Sequence, residues 1–357
     1  MVLSRTKVFV LRSIQAWRYH SWKRASQKMA SSDVGDKPMV LTSHVDELFA
    51  YPQIFVPVME KYFQVVWWED FEKDMERYAR HIQGVLVNGG LPKVTAELLD
   101  TLPNLRIIST LSVGMDHLDL QLLKSRGIKV SSVPDVSSDC VADWGMTLLT
   151  AAARRLPEAI KSATDTTTPF NYNILGKKIT GSTLGIVGLG RIGYGIAERA
   201  LGFKMKVLYF DIMRQPEREA ALGLEFHSCL DQLLPNCDFI IIVVPLTPQT
   251  HGMMGREQFK LMKPSAIFIN IARAPVVHQD QLVEALQNKT IQAAVLDVTS
   301  PEPLPPDHPL LHMPNVIITP HMGANSLESR RGVVEAGCES CTAAIRGGAI
   351  PREVVLK

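Results

Sequence analysis

Short apolar runs recur along the chain, each ending in a polar or glycine-bearing loop and each followed by a segment with helical spacing of apolar positions. In the first part the runs are Met39–Thr42, Gln64–Trp68, Gly84–Asn88, Arg106–Thr110 and Ile128–Ser132. Helical patterns such as Val94–Leu102 and Leu118–Arg126 lie between them, the latter closed by Gly127, a residue suited to the left-handed end of a helix. A helical stretch over 141–155, apolar at Val141, Met146, Leu148, Leu149 and Ala152, leads out of this part. A second series follows: Thr183–Val187, Lys206–Phe210, Phe239–Val244, Ala266–Ile271, Ile291–Leu296 and Val316–Thr319. Its helices are anchored by Ile192–Leu201, Cys229–Leu234, Gln258–Leu261 and Gln279–Leu286. Such alternation predicts α/β architecture with parallel sheets covered by helices, and six strands match a doubly wound, Rossmann-type dinucleotide fold. Ser326–Ile345 has helical periodicity and is expected to cross back to the first domain, making that domain discontinuous. The expected organisation is a leader over 1–36, a first α/β part over 37–139, a Rossmann domain over 140–322, and a returning helix and tail over 323–357.

In an open parallel sheet, ligands bind beyond the carboxyl ends of the strands. The loop after the first strand of the second series reads Gly188-Leu-Gly190-Arg-Ile-Gly193. A lone G-x-G-x-x-G is weak evidence, but here an apolar strand precedes it and a helix follows, as phosphate binding at a helix N-terminus requires. Roughly 20 residues further on, as the dinucleotide fingerprint expects, Asp211 ends the next strand. Its carboxylate would accept hydrogen bonds from a ribose and repel a 2′-phosphate, which favours NAD; Arg214, three residues on, would partly offset that repulsion and keeps NADP open. Three further loops carry Arg273, Glu302 and His321. A guanidinium clamps a carboxylate with about 1.5–3 kcal/mol of charge-assisted hydrogen bonding. A carboxylate beside an imidazole favours its charged, proton-donating form. Together these residues read as a nicotinamide-dependent oxidoreductase. A serine hydrolase is disfavoured because no G-x-S-x-G elbow occurs, and the zinc-ligand spacings are missing.

Composition narrows the picture further. A chain of 357 residues, 46% hydrophobic, suits two moderate cores. A net charge of +2 without a basic stripe argues against nucleic acid as a partner. The apolar run Phe239–Val244 is far too short to cross a bilayer. Five cysteines suit a reducing compartment, and Cys338-x-x-Cys341, with no second pair, is read as buried thiols on one helix. No metal is expected. Residues 1–32 differ in kind: seven Lys/Arg, several serines and no acid before Asp33. That composition fits a mitochondrial targeting segment; the alternative is a disordered leader ahead of a second start at Met29 and a cytoplasmic protein.

The motifs taken together resemble the D-isomer-specific 2-hydroxyacid dehydrogenases from about residue 38 to the C-terminus. They are Ser112-Val-Gly-Met-Asp-His-Leu-Asp119, the glycine loop, Pro245-Leu-Thr-Pro, Asn270-Ile-Ala-Arg273, Leu296-Asp-Val-Thr-Ser-Pro-Glu-Pro-Leu-Pro305 and Pro320-His-Met-Gly323. Thr299–Pro305 and Arg154–Ile160 are most similar to the glyoxylate/hydroxypyruvate reductases within that family. The resemblance implies a flavodoxin-like substrate domain whose Val113 and Gly114 amides bind a substrate carboxylate. It also implies cofactor contacts at Gly190, Arg191, Ile192, Pro245, Ile271, Asp297 and Gly323, and a homodimer through the cofactor domains. The reaction implied is reduction of a small 2-oxo acid, with Arg273 as clamp, His321 as proton donor and Glu302 as its orienting acid. Two rivals share the fold: an NAD(H)-sensing binding protein of the corepressor type, and a paralogue with impaired catalysis. The second arises because Ala274-Pro275 follows Arg273 where the family usually has Gly and an acid, and a positive φ needed there would displace Arg273. Ala142-Asp143 in place of Ala-Glu, Asn325, and a segment 164–173 without tryptophan are further departures.

Overall fold

The computed structural model describes residues 37–43, 52–167, 169, 171 and 173–356, so the expected leader lies outside the described residues. The chain divides into two compact units, one formed by the described residues up to Ser137 with Leu327–Lys357, the other by Ser138–Ser326.

In the first unit, strands β1 (Met39–Thr42), β2 (Gln64–Trp67), β3 (Ile82–Val87), β4 (Ile107–Thr110) and β5 (Lys129–Ser131) form a parallel sheet in the order β2-β1-β3-β4-β5. That is the flavodoxin-like order. Helices α1 (Pro52–Tyr62), α2 (Trp68–Lys73), α3 (Met75–Ala79), α4 (Ala96–Thr101) and α5 (Leu120–Ser125) connect the strands. Trp68, expected to end the second strand, opens α2 instead, where Glu69 and Asp70 fill the first turn and suit the positive end of a helix. Val113 and Gly114 lie on the loop after β4, braced by Ser112, whose hydroxyl donates to Gly114 O at 2.8 Å.

The second unit begins with α6 (Ser138–Ala153) and α7 (Leu156–Thr164). It continues as β6 (Thr183–Val187), α8 (Arg191–Gly202), β7 (Lys206–Phe210), α9 (Pro216–Leu222), β8 (Glu225–His227), α10 (Leu230–Leu233), β9 (Phe239–Ile242) and α11 (Arg256–Leu261). After these come β10 (Ile267–Asn270), α12 (Gln279–Gln287), β11 (Ala293–Leu296) and β12 (Val316–Ile318). The sheet is parallel, in the order β12-β11-β10-β9-β6-β7-β8. It therefore holds seven strands rather than the expected six, the extra one being the edge strand β8. Central strands are buried on both faces and read as unbroken apolar runs; Phe239 to Ile242 is fully buried. The order reverses between β6 and β9, so the glycine loop leaves the sheet at its switch point, where a ligand fits between diverging crossovers.

The closing helix α13 (Leu327–Ile345) belongs to the first unit. It lies close on that sheet: a side-chain carbon at Gly84 would run into Cys341 Sγ, and one at Gly337 into Leu111. Cys338 and Cys341 are fully buried there, and desolvation pushes both thiols above their ordinary range. The C-x-x-C pair is thus core packing. Beyond α13 the tail pairs Glu353 with Ser131 at the β5 edge.

Candidate active site

The three glycines after β6 meet different demands. Gly188 has φ of 101°, a region that favours glycine, and a side chain there would strike Val244. A Cβ at Gly193 would fall on the Gly188 carbonyl. Gly190, by contrast, would meet no described protein atom within 4 Å if it carried one. Protein packing thus accounts for two of the glycines, and the third leaves room for something outside the fold. Arg191 and Ile192 start α8, so their N–H groups have no acceptor within the helix and stand ready for an anion. A dinucleotide pyrophosphate fits this cradle.

Asp211 follows β7, its Oδ2 accepting from Leu189 N–H at 2.7 Å and its Oδ1 from Met213 N–H at 3.1 Å. An ionised carboxylate offers about four acceptor sites, so capacity remains for ribose hydroxyls. Arg214, expected to offset this charge in part, is itself engaged by an acid. It forms a two-point pair with Glu219 at 2.9 and 2.7 Å and stacks over the Phe226 ring. The basic group that does reach the loop is Arg218, which donates to Leu189 O. Ile212 and Met213, beside Asp211, are strongly exposed apolar residues that the sequence reading passed over; they form a surface against which a flat apolar base can lie. Pro245 stands on the loop after β9, its carbonyl accepting from Thr250 Oγ1 at 2.6 Å.

Arg273 follows β10. Asn270, the last residue of that strand, ties the turn with both ends of its amide: Nδ2 donates to Arg273 O at 3.1 Å, and Oδ1 accepts from Ala272 N–H at 3.0 Å. Arg273 is extended, with φ of −138°, and Ala274–Val276 forms a 3-10 turn. Ala274 has no positive φ, and Pro275 stands near the start of the turn, where an N–H would have no internal acceptor. Ala274-Pro275 is thus accommodated in this loop without a left-handed residue. Ile271, given to the nicotinamide by the resemblance, is buried.

His321 and Glu302 come together. Imidazole Nδ1 lies 2.9 Å from Glu302 Oε1, with both side chains nearly half exposed. Nδ1 is engaged by the acid, so Nε2 is the nitrogen left for a ligand. His321 takes a left-handed φ of 54°, a conformation costing a non-glycine residue roughly 1–2 kcal/mol. Its N–H donates to Asp297 O at 2.9 Å and Thr319 O at 3.0 Å, which holds it there. The Asp297 carboxylate is buried beneath this loop. Its Oδ1 accepts from Thr319 Oγ1 at 2.6 Å, Met322 N–H at 2.8 Å and Trp144 Nε1 at 3.1 Å, and its Oδ2 from Gly323 N–H at 2.9 Å. Asp297, assigned by resemblance to the cofactor, also organises the histidine loop. The Glu302 loop is fastened by Gln279, whose amide donates to Ser300 O at 2.6 Å and accepts from Ser300 N–H at 2.9 Å.

Asn270, Gln279, Trp144 and Thr319 are thus site residues that the sequence reading missed. A proton donor paired with an acid, and an arginine on the neighbouring strand end, share one sheet edge with a dinucleotide cradle. This is the equipment of a nicotinamide-dependent dehydrogenase. The profile of the family described as D-isomer specific 2-hydroxyacid dehydrogenase, NAD binding domain, matches residues 146–323. The human glyoxylate reductase/hydroxypyruvate reductase is 43% identical over 256 residues, 71% of this chain and 78% of that protein. Glyoxylate/hydroxypyruvate reductase B of Escherichia fergusonii is 38% identical over 304 residues, 83% of this chain and 93% of that one. Among solved structures, an NADPH-dependent glyoxylate/hydroxypyruvate reductase from Sinorhizobium meliloti, in complex with NADP and malonate, superposes with a TM-score of 0.76 at 28% identity, covering 90% of this chain and 97% of that one. D-lactate dehydrogenase from Aquifex aeolicus, complexed with NAD and lactic acid, gives a TM-score of 0.74 at 30% identity, covering 87% and 96%. The chain belongs to the D-isomer-specific 2-hydroxyacid dehydrogenase family and is an NAD(P)-dependent oxidoreductase of 2-oxo acids.

Proposed function

We propose that the chain reduces glyoxylate and hydroxypyruvate to the corresponding 2-hydroxy acids, of D configuration where the product is chiral, with NADH as the favoured donor. The observation that carries this is the His321–Glu302 pair at 2.9 Å, which leaves Nε2 as the proton donor. Bound nicotinamide supplies the hydride that adds to the carbonyl carbon. His321 gives its Nε2 proton to the carbonyl oxygen, and Glu302 stabilises the imidazolium and fixes its orientation. Arg273 holds the substrate carboxylate beside the carbonyl. The named reductases among the relatives support the choice of acids.

NADH oxidation with glyoxylate, hydroxypyruvate and pyruvate tests the reading, alongside His321→Ala. The expected result is preference for the first two substrates and a loss of about 10²–10⁴-fold in kcat for the variant. Undiminished turnover by the variant refutes the assignment of the proton donor. The lean to NAD rests on the Asp211 carboxylate: Asp211→Ser should improve kcat/KM with NADPH relative to NADH. The reading includes a homodimer through the cofactor unit and delivery to the mitochondrial matrix by the leader over 1–36, supported by the basic composition of residues 1–32, which hold no acid. A fusion of those residues to a fluorescent reporter that stays cytosolic would rule delivery out.

A further inference from the structure

Trp144 stands in the middle of α6, yet its indole N–H reaches a residue 153 positions away, Oδ1 of Asp297, at 3.1 Å. That oxygen also accepts from Thr319 Oγ1 and Met322 N–H, while its companion accepts from Gly323 N–H. Three of the four donors therefore belong to the segment 319–323 that carries His321, and only Trp144 comes from outside it. Val141 of α6 also faces Gly323, an apolar contact without direction. The indole N–H ties α6 to the carboxylate that orders the loop and so helps set its rotation. The carboxylate is 2% exposed, so a lost donor is not replaced by bulk water without rearrangement. His321 needs this support more than most residues, because its left-handed φ of 54° persists only while its surroundings enforce it.

We propose that Trp144 is a positioning residue for proton transfer: its indole N–H fixes the Asp297 carboxylate, and through it the backbone that aims the His321 imidazole. The proposal rests on His321 being the proton donor. Trp144 does not touch the reacting atoms. It sets the angle at which Nε2 meets the substrate oxygen, a geometry in which a displacement of about 1 Å costs around a hundredfold in rate.

The test compares Trp144→Phe, which keeps an aromatic ring and loses the donor, with Trp144→Gln, which loses the ring and keeps an N–H. Each is made in the wild-type and the His321→Gln backgrounds. Two properties are read: kcat for glyoxylate reduction, and hydrogen–deuterium exchange in the peptide covering 319–325. In the wild-type background Trp144→Phe should lower kcat about tenfold or more, leave the NADH dissociation constant within twofold, and speed exchange in that peptide at least fivefold. Trp144→Gln should recover part of the kcat loss. In the His321→Gln background the Phe substitution should change kcat by less than twofold, because the group it positions is gone. Equal losses in both backgrounds, or unchanged exchange over 319–325, would overturn the proposal. If Trp144→Phe does not fold, Trp144→Leu, which also lacks the donor, decides by the same two-background comparison. Absence of wild-type turnover would instead sink the reductase reading, and with it a catalytic role for Trp144, whatever the exchange shows.

Discussion

Gly190 and Gly193 sit three positions apart in one turn, yet substitution should separate their roles. Gly193→Ala forces a methyl onto the Gly188 carbonyl, an overpacking of the kind that costs about 1–3 kcal/mol, so its melting temperature should fall. Gly190→Ala meets no described protein atom, so its melting temperature should match wild type. Its methyl would intrude where the pyrophosphate approaches the backbone, and losing a charge-assisted hydrogen bond of about 1.5–3 kcal/mol corresponds to a ten- to hundredfold weaker NADH dissociation constant. Calorimetry and fluorescence titration of the two variants check both halves; equal melting losses would mean that Gly190 is a packing glycine as well. Glu302→Gln keeps a hydrogen-bonding group against His321 Nδ1 but removes the charge. It should lower kcat about 10²-fold or more with NADH affinity unchanged, read by steady-state kinetics. These residues announced themselves by type and spacing. Trp144, Asn270 and Gln279 did not, because what they do depends on partners that only the folded chain supplies. A tryptophan in an apolar helical pattern looks like core, and nothing local distinguishes the one whose N–H finds Asp297.

Strands buried on both faces were legible because burial leaves an unmistakable apolar run. The edge strand β8 (Glu225–His227) was not: three residues with a charged end carry no period to read, and polar edges are how sheets avoid further pairing. The helices α7 and α9 escaped for a related reason, since neither contains a buried residue. The join between β6 and β9 depends on one acid just before β9. Asp238 Oδ2 accepts from Thr183 N–H at 2.9 Å, Oδ1 accepts from Lys263 Nζ at 3.1 Å, and Lys177 Nζ lies 3.7 Å away. Burial alone would raise this carboxyl, but the Thr183 bond and the two ammonium groups outweigh it and hold it below the usual carboxylate value. The charged form is therefore favoured in the folded state, and near pH 4 the unfolded chain binds more protons. The stabilisation is fully present above the ordinary Asp value and disappears as pH falls through the depressed folded one. Asp238→Asn should cost about 1–3 kcal/mol at pH 7 and much less at pH 3. Urea unfolding at the two pH values measures this; an equal loss at both would show that charge is not what holds the join.

At the scale of the whole molecule, the closing helix was legible from its periodicity, whereas what ties it to the first unit lies in packing. α13 places Val333, Val334, Cys338, Cys341 and Ile345 in the core of the first unit, so that unit is completed by the far end of the chain. The second unit closes its own core but leaves apolar surface on α7. Leu156 and Ile160, four residues apart and so on one helical face, are 48% and 53% exposed, and Leu175 in the following segment is 81% exposed. Apolar residues scattered singly need no explanation, but a contiguous uncovered face marks an association surface. The homodimer proposed above would cover it with a second copy of the chain, because a two-fold interface requires only a self-complementary patch. Charges on that face would have to be desolvated to keep the contact. Leu156→Asp combined with Ile160→Asp should therefore shift the sedimenting species from dimer to monomer at micromolar concentration. NADH binding should survive the change, since the glycine loop and Asp211 belong to different elements of the same unit. A wild-type protein that sediments as a monomer would remove the dimer from the proposed function, and a double variant that stays dimeric would move the interface to another face.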